Sequence, residues 1–468
     1  MRTGILRTLR AGSCMDRALS RLTTLGLHLE PAKPETHLNG IACQQTSGMS
    51  TGAGSKRARG TPGDALDDTA VYIVGVARTP LGSFQGGLSS LSATDLGGIA
   101  IRAALERAGV SPNDVDEVYM GNVCSANLGQ APARQAALKA GLPFSADCTT
   151  VNKVCSSGMK ALTIAAASLQ LGVAQVAVAG GMESMSNIPY YVPSARGGAR
   201  LGHAQLVDGM VADGLWDPHH DIHMGECAEL CAEEHGITRA EQDAHALESA
   251  ARARRAQAGG VTAWEVVPVE VKTRRGTAVV SQDEALAKMD PEKLVRLRPS
   301  FRPEGPDAAP GTITAGNASP LTDGAAALVL ASGAAVARLG LRPLAQLLGS
   351  ADAAREPREY TTAPSASLPK ALARAGVAAA DVDAWEINEA FSVVDLVNRR
   401  LLGLDPERVN ALGGAVALGH PIGCSGARVV VTLINALRSR GGTLGAAGIC
   451  NGGGGSTAVV LRLMPQAE

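Results

Sequence analysis

From Val71 onward, short wholly apolar runs of strand length alternate with longer stretches of helical period. This alternation restricts the fold more than any single motif, because it calls for sheets covered by helices. "VYIVGVARTP" (71–80) reads as a buried strand ending before Pro80, and "VAQVAVAGG" and "GAAALVLAS" read the same way. "ATDLGGIAIRAALERAGV" and "SSGMKALTIAAASLQLG" have helical length and period. The theme recurs: "PLAQLLGSADA" as strand, "SASLPKALARAGV" as helix, "VDAWEINEA" as strand into turn, "GARVVVTLINALRSRGG" as helix, "STAVVLRLM" as last strand. The expectation is an α/β protein of two similar halves, with mostly parallel or mixed sheets packed in layers with helices.

Residues 191–310 break this rhythm with "PYYVPSARGG", one long helical stretch and a Pro-rich run, and read as an inserted loop domain. The predicted organisation is an extension over 1–70, an N-terminal domain over 71–190 and 311–342, the insertion, and a C-terminal domain over 343–468. Aromatics are only 3% and glycines number 55, so Ala, Val, Leu and Gly build the core and turns. The formal net charge of -1 gives no reason to expect nucleic acid or an anionic membrane as partner. No apolar run is long enough to span a bilayer.

The first 70 residues lack sustained periodicity. Within them "RLTTLGLHL" fits the type-2 peroxisomal nonapeptide at Arg21, Leu22, His28 and Leu29, an address read by an import receptor. The competing reading is a mitochondrial transit peptide, since the first 29 residues carry five arginines and one acidic residue, Asp16. Cys43 is a candidate trimming point.

Nine cysteines at irregular spacing argue against a disulfide framework. Cys227 and Cys231, near His219, His220 and His223, raise a zinc reading, but no CxxC pair is present and the segment reads as a loop entering a helix. Four islands stand out. Cys155, in "NKVCSSGMKA", precedes an apolar helical run, where exposed N–H groups and the helix dipole would lower a thiol's pKa. His420 sits between Gly419 and Pro421 in "GGAVALGHPIGCSGAR", a plausible base. Cys450 precedes four glycines in "ICNGGGGS"; with no Lys-Ser/Thr pair following, this is not a phosphate loop. Asn388 and Glu389 lie in "NEAFS" at a strand end. A cysteine with a base makes a covalent acyl-transfer site. A second cysteine suggests a further proton transfer, such as making or breaking a carbon–carbon bond next to a carbonyl.

At these motifs, and at "VAGGMESMSN" and "IHMGECAE", the sequence resembles the thiolase family from Val71 to about Leu463, and the "HMG" of His223–Gly225 is of its short-chain type. The resemblance implies a thiolase fold and a homotetramer, a dimer of dimers. It implies acetyl-CoA C-acetyltransferase activity joining two acetyl-CoA into acetoacetyl-CoA and CoA, with coenzyme A thioesters as substrates and no cofactor. Cys155 would carry the acyl group, His420 would activate it, and Cys450 would move the second proton. Asn388 would hold a water that, with His420, forms one oxyanion hole, and the N–H groups of Cys155 and Gly453 would form the other. Glu389 would orient its neighbours. His223, Met224, Arg252, Ser319 and Phe391 would contact substrate, Arg252 near the coenzyme A phosphates. A weak potassium site would draw on His219, Ala315, Gly316, Ala318 and Val416, but potassium-responsive members carry a tyrosine where His219 aligns, so no metal dependence is expected.

Three other readings compete. A broad 3-ketoacyl-CoA thiolase of peroxisomal β-oxidation differs in chain length. A decarboxylating ketoacyl synthase on the same fold does not use a residue like Cys450. A non-catalytic acyl-CoA carrier has no need of Cys155, His420 and Cys450 together.

Overall fold

The computed structural model describes residues 67–302 and 311–465. The nonapeptide at Arg21–Leu29 and the trimming point at Cys43 lie outside them. Among the described residues, ten strands form one sheet: β1 (Val71–Arg78), β2 (Gly82–Ser83), β3 (Glu117–Gly121), β4 (Asp147–Val151), β5 (Val176–Ser184), β6 (Thr322–Ser332), β7 (Ala345–Ala354), β8 (Ala384–Ile387), β9 (Leu444–Asn451) and β10 (Gly455–Leu463). Their order is β8-β9-β10-β7-β1-β6-β5-β3-β4, with β2 beside β6. The last four strands of the chain follow the order of β3-β5-β6-β1 in the first half, and antiparallel pairing of Val71–Ile73 with Ala345–Leu347 joins the halves.

The sheet is mixed rather than mostly parallel. Only β8/β9, β3/β4 and β3/β5 are parallel pairs. Helix–strand alternation forces a parallel crossover only where a helix connects neighbouring strands. β9 instead returns into β10 across Gly452–Gly454, and a connection that short closes only an antiparallel pair. Gly453 and Gly454 take φ of 81° and 82°, a left-handed turn open to glycine, which accounts for the glycine run.

The main helices are α1 (Ala93–Ala108), α2 (Pro132–Ala140), α3 (Ser157–Gln170), α4 (Met224–Glu234), α5 (Arg239–Ala258), α6 (Pro364–Ala375), α7 (Ser392–Leu402) and α8 (Ile422–Arg440). Local chemistry sets their ends. Ser92 with Asp95 and Thr238 with Glu241 form capping boxes at α1 and α5, and left-handed Gly109 closes α1. Every residue of α8 from Ile422 to Leu437 is buried, the pattern of a helix inside the core rather than on it. Each of its fully buried Val and Leu side chains contributes roughly 1.5–3 kcal/mol.

Helices α3 and α8 occupy equivalent places, each leading into the strand of its half, β5 or β9. They approach through small residues: a methyl on Gly158 would press on the Ala427 backbone N, and one on Gly426 on the Met159 N. This close crossing brings their N-terminal ends together. Residues 191–302 form short two-stranded ribbons, such as Val269–Thr273 with Gly276–Val280, together with α4 and α5. Buried Arg78, at the end of β1, pins this region to the core through Glu265 (2.6 Å) and a bidentate contact with Asp283 (2.7 and 2.9 Å).

Candidate active site

Cys155 stands two residues before α3 begins, and His420 two residues before α8. The two halves therefore place a thiol and an imidazole at corresponding positions, facing one cavity of about 240 Å³. Its wall is mostly apolar: Met185, Leu215, Met224, Phe301, Ala318, Ala390, Phe391 and Ile422, with Gly452 and the polar ends of Ser319, His223 and Tyr360.

The loop before α3 is held tightly. Val154 has φ 48°, a conformation a β-branched residue rarely adopts. Its N–H donates to Asn152 Oδ1 (3.0 Å), and its carbonyl accepts from Ser157 Oγ (2.5 Å). Ser156 does not cap the helix. Its hydroxyl bonds the Ile449 carbonyl (3.1 Å) and Asn451 Oδ1 (2.8 Å), the residues on either side of Cys450. The small polar residues after Cys155 thus fasten the nucleophile loop to the end of β9.

Burial pushes the Cys155 thiol up to about 11, although the Gly452 N–H and its own N–H favour the thiolate. This corrects the expectation of a lowered value: loss of water around the sulfur outweighs the nearby N–H groups. The thiol keeps its proton at neutral pH, so attack needs a base. His420 Nδ1 lies 2.6 Å from Ser425 Oγ, whose own proton goes to the Pro421 carbonyl (3.0 Å). Nδ1 therefore carries the hydrogen, and Nε2, buried and without a protein partner, is left with its lone pair. Burial, then the positive charge of Arg428, drives the imidazole down to about 3, so it is neutral and able to accept. Gly419, just before it, has φ 116°, and any side chain there would overlap Thr322.

Cys450, at the end of β9, is wholly buried behind Met224 and Phe391 and is absent from the cavity wall. Burial, followed by the charge of Cys155, holds its thiol well above the ordinary range. Asn388 follows β8, also beneath the wall. Its Oδ1 accepts from Arg428 Nη2 (3.4 Å), and its Nδ2 has no protein partner. Glu389 accepts from Ser249 Oγ (2.8 Å), Asn410 Nδ2 (3.0 Å) and Val416 N (3.1 Å), tying three segments together.

Residues 71–334 match the family model for the thiolase N-terminal domain, and residues 341–463 that for the thiolase C-terminal domain. The chain belongs to the thiolase family. It is 58% identical over 405 residues to acetyl-CoA acetyltransferase 1 of Arabidopsis thaliana, covering 86% of this chain and 96% of that one. It is 54% identical over 397 residues to acetyl-CoA acetyltransferase of Schizosaccharomyces pombe, covering 84% and 99%. Among solved structures it resembles the Acat5 thiolase of Ascaris suum in complex with coenzyme A (TM-score 0.79, 45% identity, 84% and 100% covered). It also resembles acetyl-CoA acetyltransferase of Syntrophomonas wolfei (TM-score 0.81, 39% identity, 84% and 99% covered).

In this thiolase, the "HMG" turn opens α4. His223 Nδ1 accepts the Gly225 N–H (3.0 Å), its ring stacks on Phe301 at 4.8 Å, and burial lowers its pKa. The imidazole is thus neutral, with its hydrogen on Nε2. Ser319 Oγ donates to the Ala390 carbonyl (2.8 Å). Several expected assignments change. Gly452, not Gly453, lines the cavity and points its N–H at Cys155, because Gly453 has already turned away into the β9–β10 loop. Arg252 is no phosphate ligand: it is buried, and its guanidinium is consumed by Glu248, Glu407 and the carbonyls of Pro406 and Val409. Of the residues expected at a weak potassium site, Ala315, Gly316 and Val416 line a second cavity of about 510 Å³, Ala318 faces the Cys155 cavity, and His219 is exposed on the turn after Asp217. Cys227 and Cys231 are buried in an apolar cluster, and among the described residues no three His, Cys, Asp or Glu stand together as a metal site.

Sequence reasoning missed Tyr360, Phe301 and Arg428. Tyr360 donates its hydroxyl to the Met224 carbonyl (3.1 Å) and comes from an irregular segment with no periodic signal. Ser425 and Arg428 lay inside a quoted motif, but their i+5 and i+8 spacing from His420 became meaningful only once α8 was seen to begin at Ile422.

Proposed function

We propose that this thiolase is an acetyl-CoA C-acetyltransferase, interconverting two acetyl-CoA with acetoacetyl-CoA and CoA through an acyl group on Cys155. The observation that carries this reading is the meeting of Cys155, a neutral His420 with a free Nε2, and the Gly452 N–H at one small apolar cavity. His420 takes the thiol proton as the sulfur attacks the thioester carbonyl. The N–H groups of Cys155 and Gly452 meet the oxyanion of the acyl-enzyme step, and Asn388 with His420 serves the other step. Cys450 exchanges a proton with the methyl carbon of acetyl-CoA as the carbon–carbon bond forms or breaks.

A cavity of about 240 Å³ lies below the roughly 300–1,000 Å³ of pockets that enclose whole drug-sized ligands, which supports a short acyl group. Thiolysis rates measured against 3-ketoacyl chain length are expected to collapse beyond four or five carbons. A flat profile would assign the chain to the broad β-oxidation type instead. Each extra methylene that fits is worth about 0.8 kcal/mol of burial, and each that does not fit clashes with the Phe301–Phe391 wall.

The same proposal includes the homotetramer and a peroxisomal address at Arg21, Leu22, His28 and Leu29. A reporter fused to residues 1–45 is expected to enter peroxisomes and to stay out after His28→Asp. Mitochondrial import would replace that address with a transit peptide.

A further inference from the structure

Next to Asn388 in the chain, at Glu389, three elements meet in a buried ionic cluster outside the lining of the Cys155 cavity. His245, on α5, lies with Nε2 3.2 Å from Glu389 Oε1 and Nδ1 3.3 Å from Asp395 Oδ2. Both carboxylate side chains are about 1% exposed, and that of His245 is 7% exposed. Asn410 Nδ2 spans the same two carboxylates, at 3.0 Å from Glu389 and 3.2 Å from Asp395. We propose that His245, holding a proton on both ring nitrogens, is a positioning residue that fixes the turn presenting Asn388 and the 410–416 loop leading to His420.

Both ring nitrogens lie within ion-pair distance of a buried carboxylate, although the Nε2 contact is not aligned as a hydrogen bond. A neutral imidazole would turn one lone pair toward a carboxylate, whereas the imidazolium presents an N–H and positive charge to both. Charge balance agrees. Arg399 pairs with Asp395 (2.9 Å), so one cation already faces two anions, and the imidazolium supplies the second. The other charged groups here have partners of their own: Arg252 and Arg255 share Glu248, Arg252 also meets Glu407, Arg239 meets Asp243, Arg400 meets Glu241, and buried Glu386, whose carboxyl burial pushes up, faces Arg428 at 3.7 Å. Burial pushes the His245 imidazole down, but the charges of Asp395 and then Glu389 outweigh it and raise it overall, with Arg399 offsetting part of the gain. Burial also pushes the Glu389 carboxyl up, yet His245 holds it low, whereas burial raises that of Asp395. A cavity of about 320 Å³ lined by His245, Glu389 and Asn410, with exposed Glu407 at its rim, gives the proton a route to water.

The link to chemistry runs through Glu389. It is bonded to Asn388 in sequence, and its carboxylate also holds Val416 N and Ser249, whose hydroxyl in turn accepts the Gly414 N–H (3.0 Å). A site opposite Asn388 and His420 loses rate steeply with small displacements. Because the folded-state value is raised, the bonding contributed by His245 is complete at low pH. It fades as pH rises through that value, leaving two buried anions with one cation.

This inference rests on the thiolysis reading above, so its test has an arm that needs no turnover. In the unsubstituted protein, deuterium exchange at the histidine ring carbons, read by mass spectrometry against pH, is expected to place the His245 midpoint above the ordinary histidine value. A midpoint at or below that value overturns the proposal. His245→Gln is expected to lower kcat for acetoacetyl-CoA thiolysis by about tenfold or more with little change in KM, and to erase an alkaline limb of the kcat profile. His245→Lys, which keeps a cation between the carboxylates, is expected to recover most of that rate. A folded His245→Gln with the unsubstituted rate and pH profile overturns the proposal, as does a folded lysine variant no faster than glutamine. Absence of thiolysis in the unsubstituted protein would instead sink the activity reading and leave the exchange result standing.

Discussion

Cys155→Ala is expected to abolish turnover, by on the order of 10⁴-fold or more in kcat, and to leave no acetyl adduct detectable by intact mass after exposure to acetyl-CoA. Among the described residues Cys155 is the one cysteine on the cavity wall; Cys124, Cys148, Cys227, Cys231 and Cys424 do not line it, and Cys450 lies just beneath it with its thiol held protonated. No other described thiol is placed to take over as nucleophile. The substitution removes one sulfur from a loop anchored by Ser156, Ser157 and Asn152, so folding should survive. A folded alanine variant that still turns over would sink the covalent mechanism.

Cys450→Ala is expected to separate the two halves of the reaction. Carbon–carbon bond formation and cleavage should fall by about 10²–10⁴-fold, the usual weight of a positioned proton donor or acceptor, while Cys155 still accepts an acetyl group from acetyl-CoA. The reason is electrostatic. Cys450 sits in apolar surroundings beside Cys155 and holds its proton well above the ordinary range. In the proposed thiolysis this suits it to donate a proton to the acetyl-CoA enolate rather than to act as a second nucleophile. Trapping of the acetyl adduct alongside a thiolysis assay checks both parts. Loss of acetylation in a folded variant would show that Cys450 also serves the first step and that the division of roles is wrong.

Much of the site was legible before the fold. Cys155, His420 and Cys450 each stand in a small-residue motif that breaks the surrounding apolar period, and Asn388 stands at a strand end; both signals are visible in a linear chain. The strands and the long helices were equally visible, since burial on both faces leaves unbroken apolar runs such as Val71–Ala77. The errors share a cause. Arg252 was expected near the coenzyme A phosphates, and its actual partners Glu407, Pro406 and Val409 are about 155 residues away, beyond any local pattern. Gly453 and Gly452 differ by one residue in a uniform glycine run, and only the φ pattern of the β9–β10 turn says which N–H faces inward. The Cys155 thiol was expected to be acidic from its place before a helix, yet desolvation dominates, and desolvation is a property of the whole cavity.

The sequence by itself singled out Cys155, His420, Cys450 and Asn388 as candidates and marked the main strands and helices, while the role of each residue came from the family resemblance. The candidates and the elements follow from side-chain type and local period. Only the tertiary structure decided that the sheet is mixed, because strand direction depends on connection geometry. It alone placed α3 and α8 side by side so that Cys155 and His420 face one cavity from equivalent positions. It also set His245 between Glu389 and Asp395, from segments about 145 residues apart. Protonation states belong to that second list: burial and partners drawn from distant segments keep the His420 imidazole neutral and the Cys450 thiol protonated.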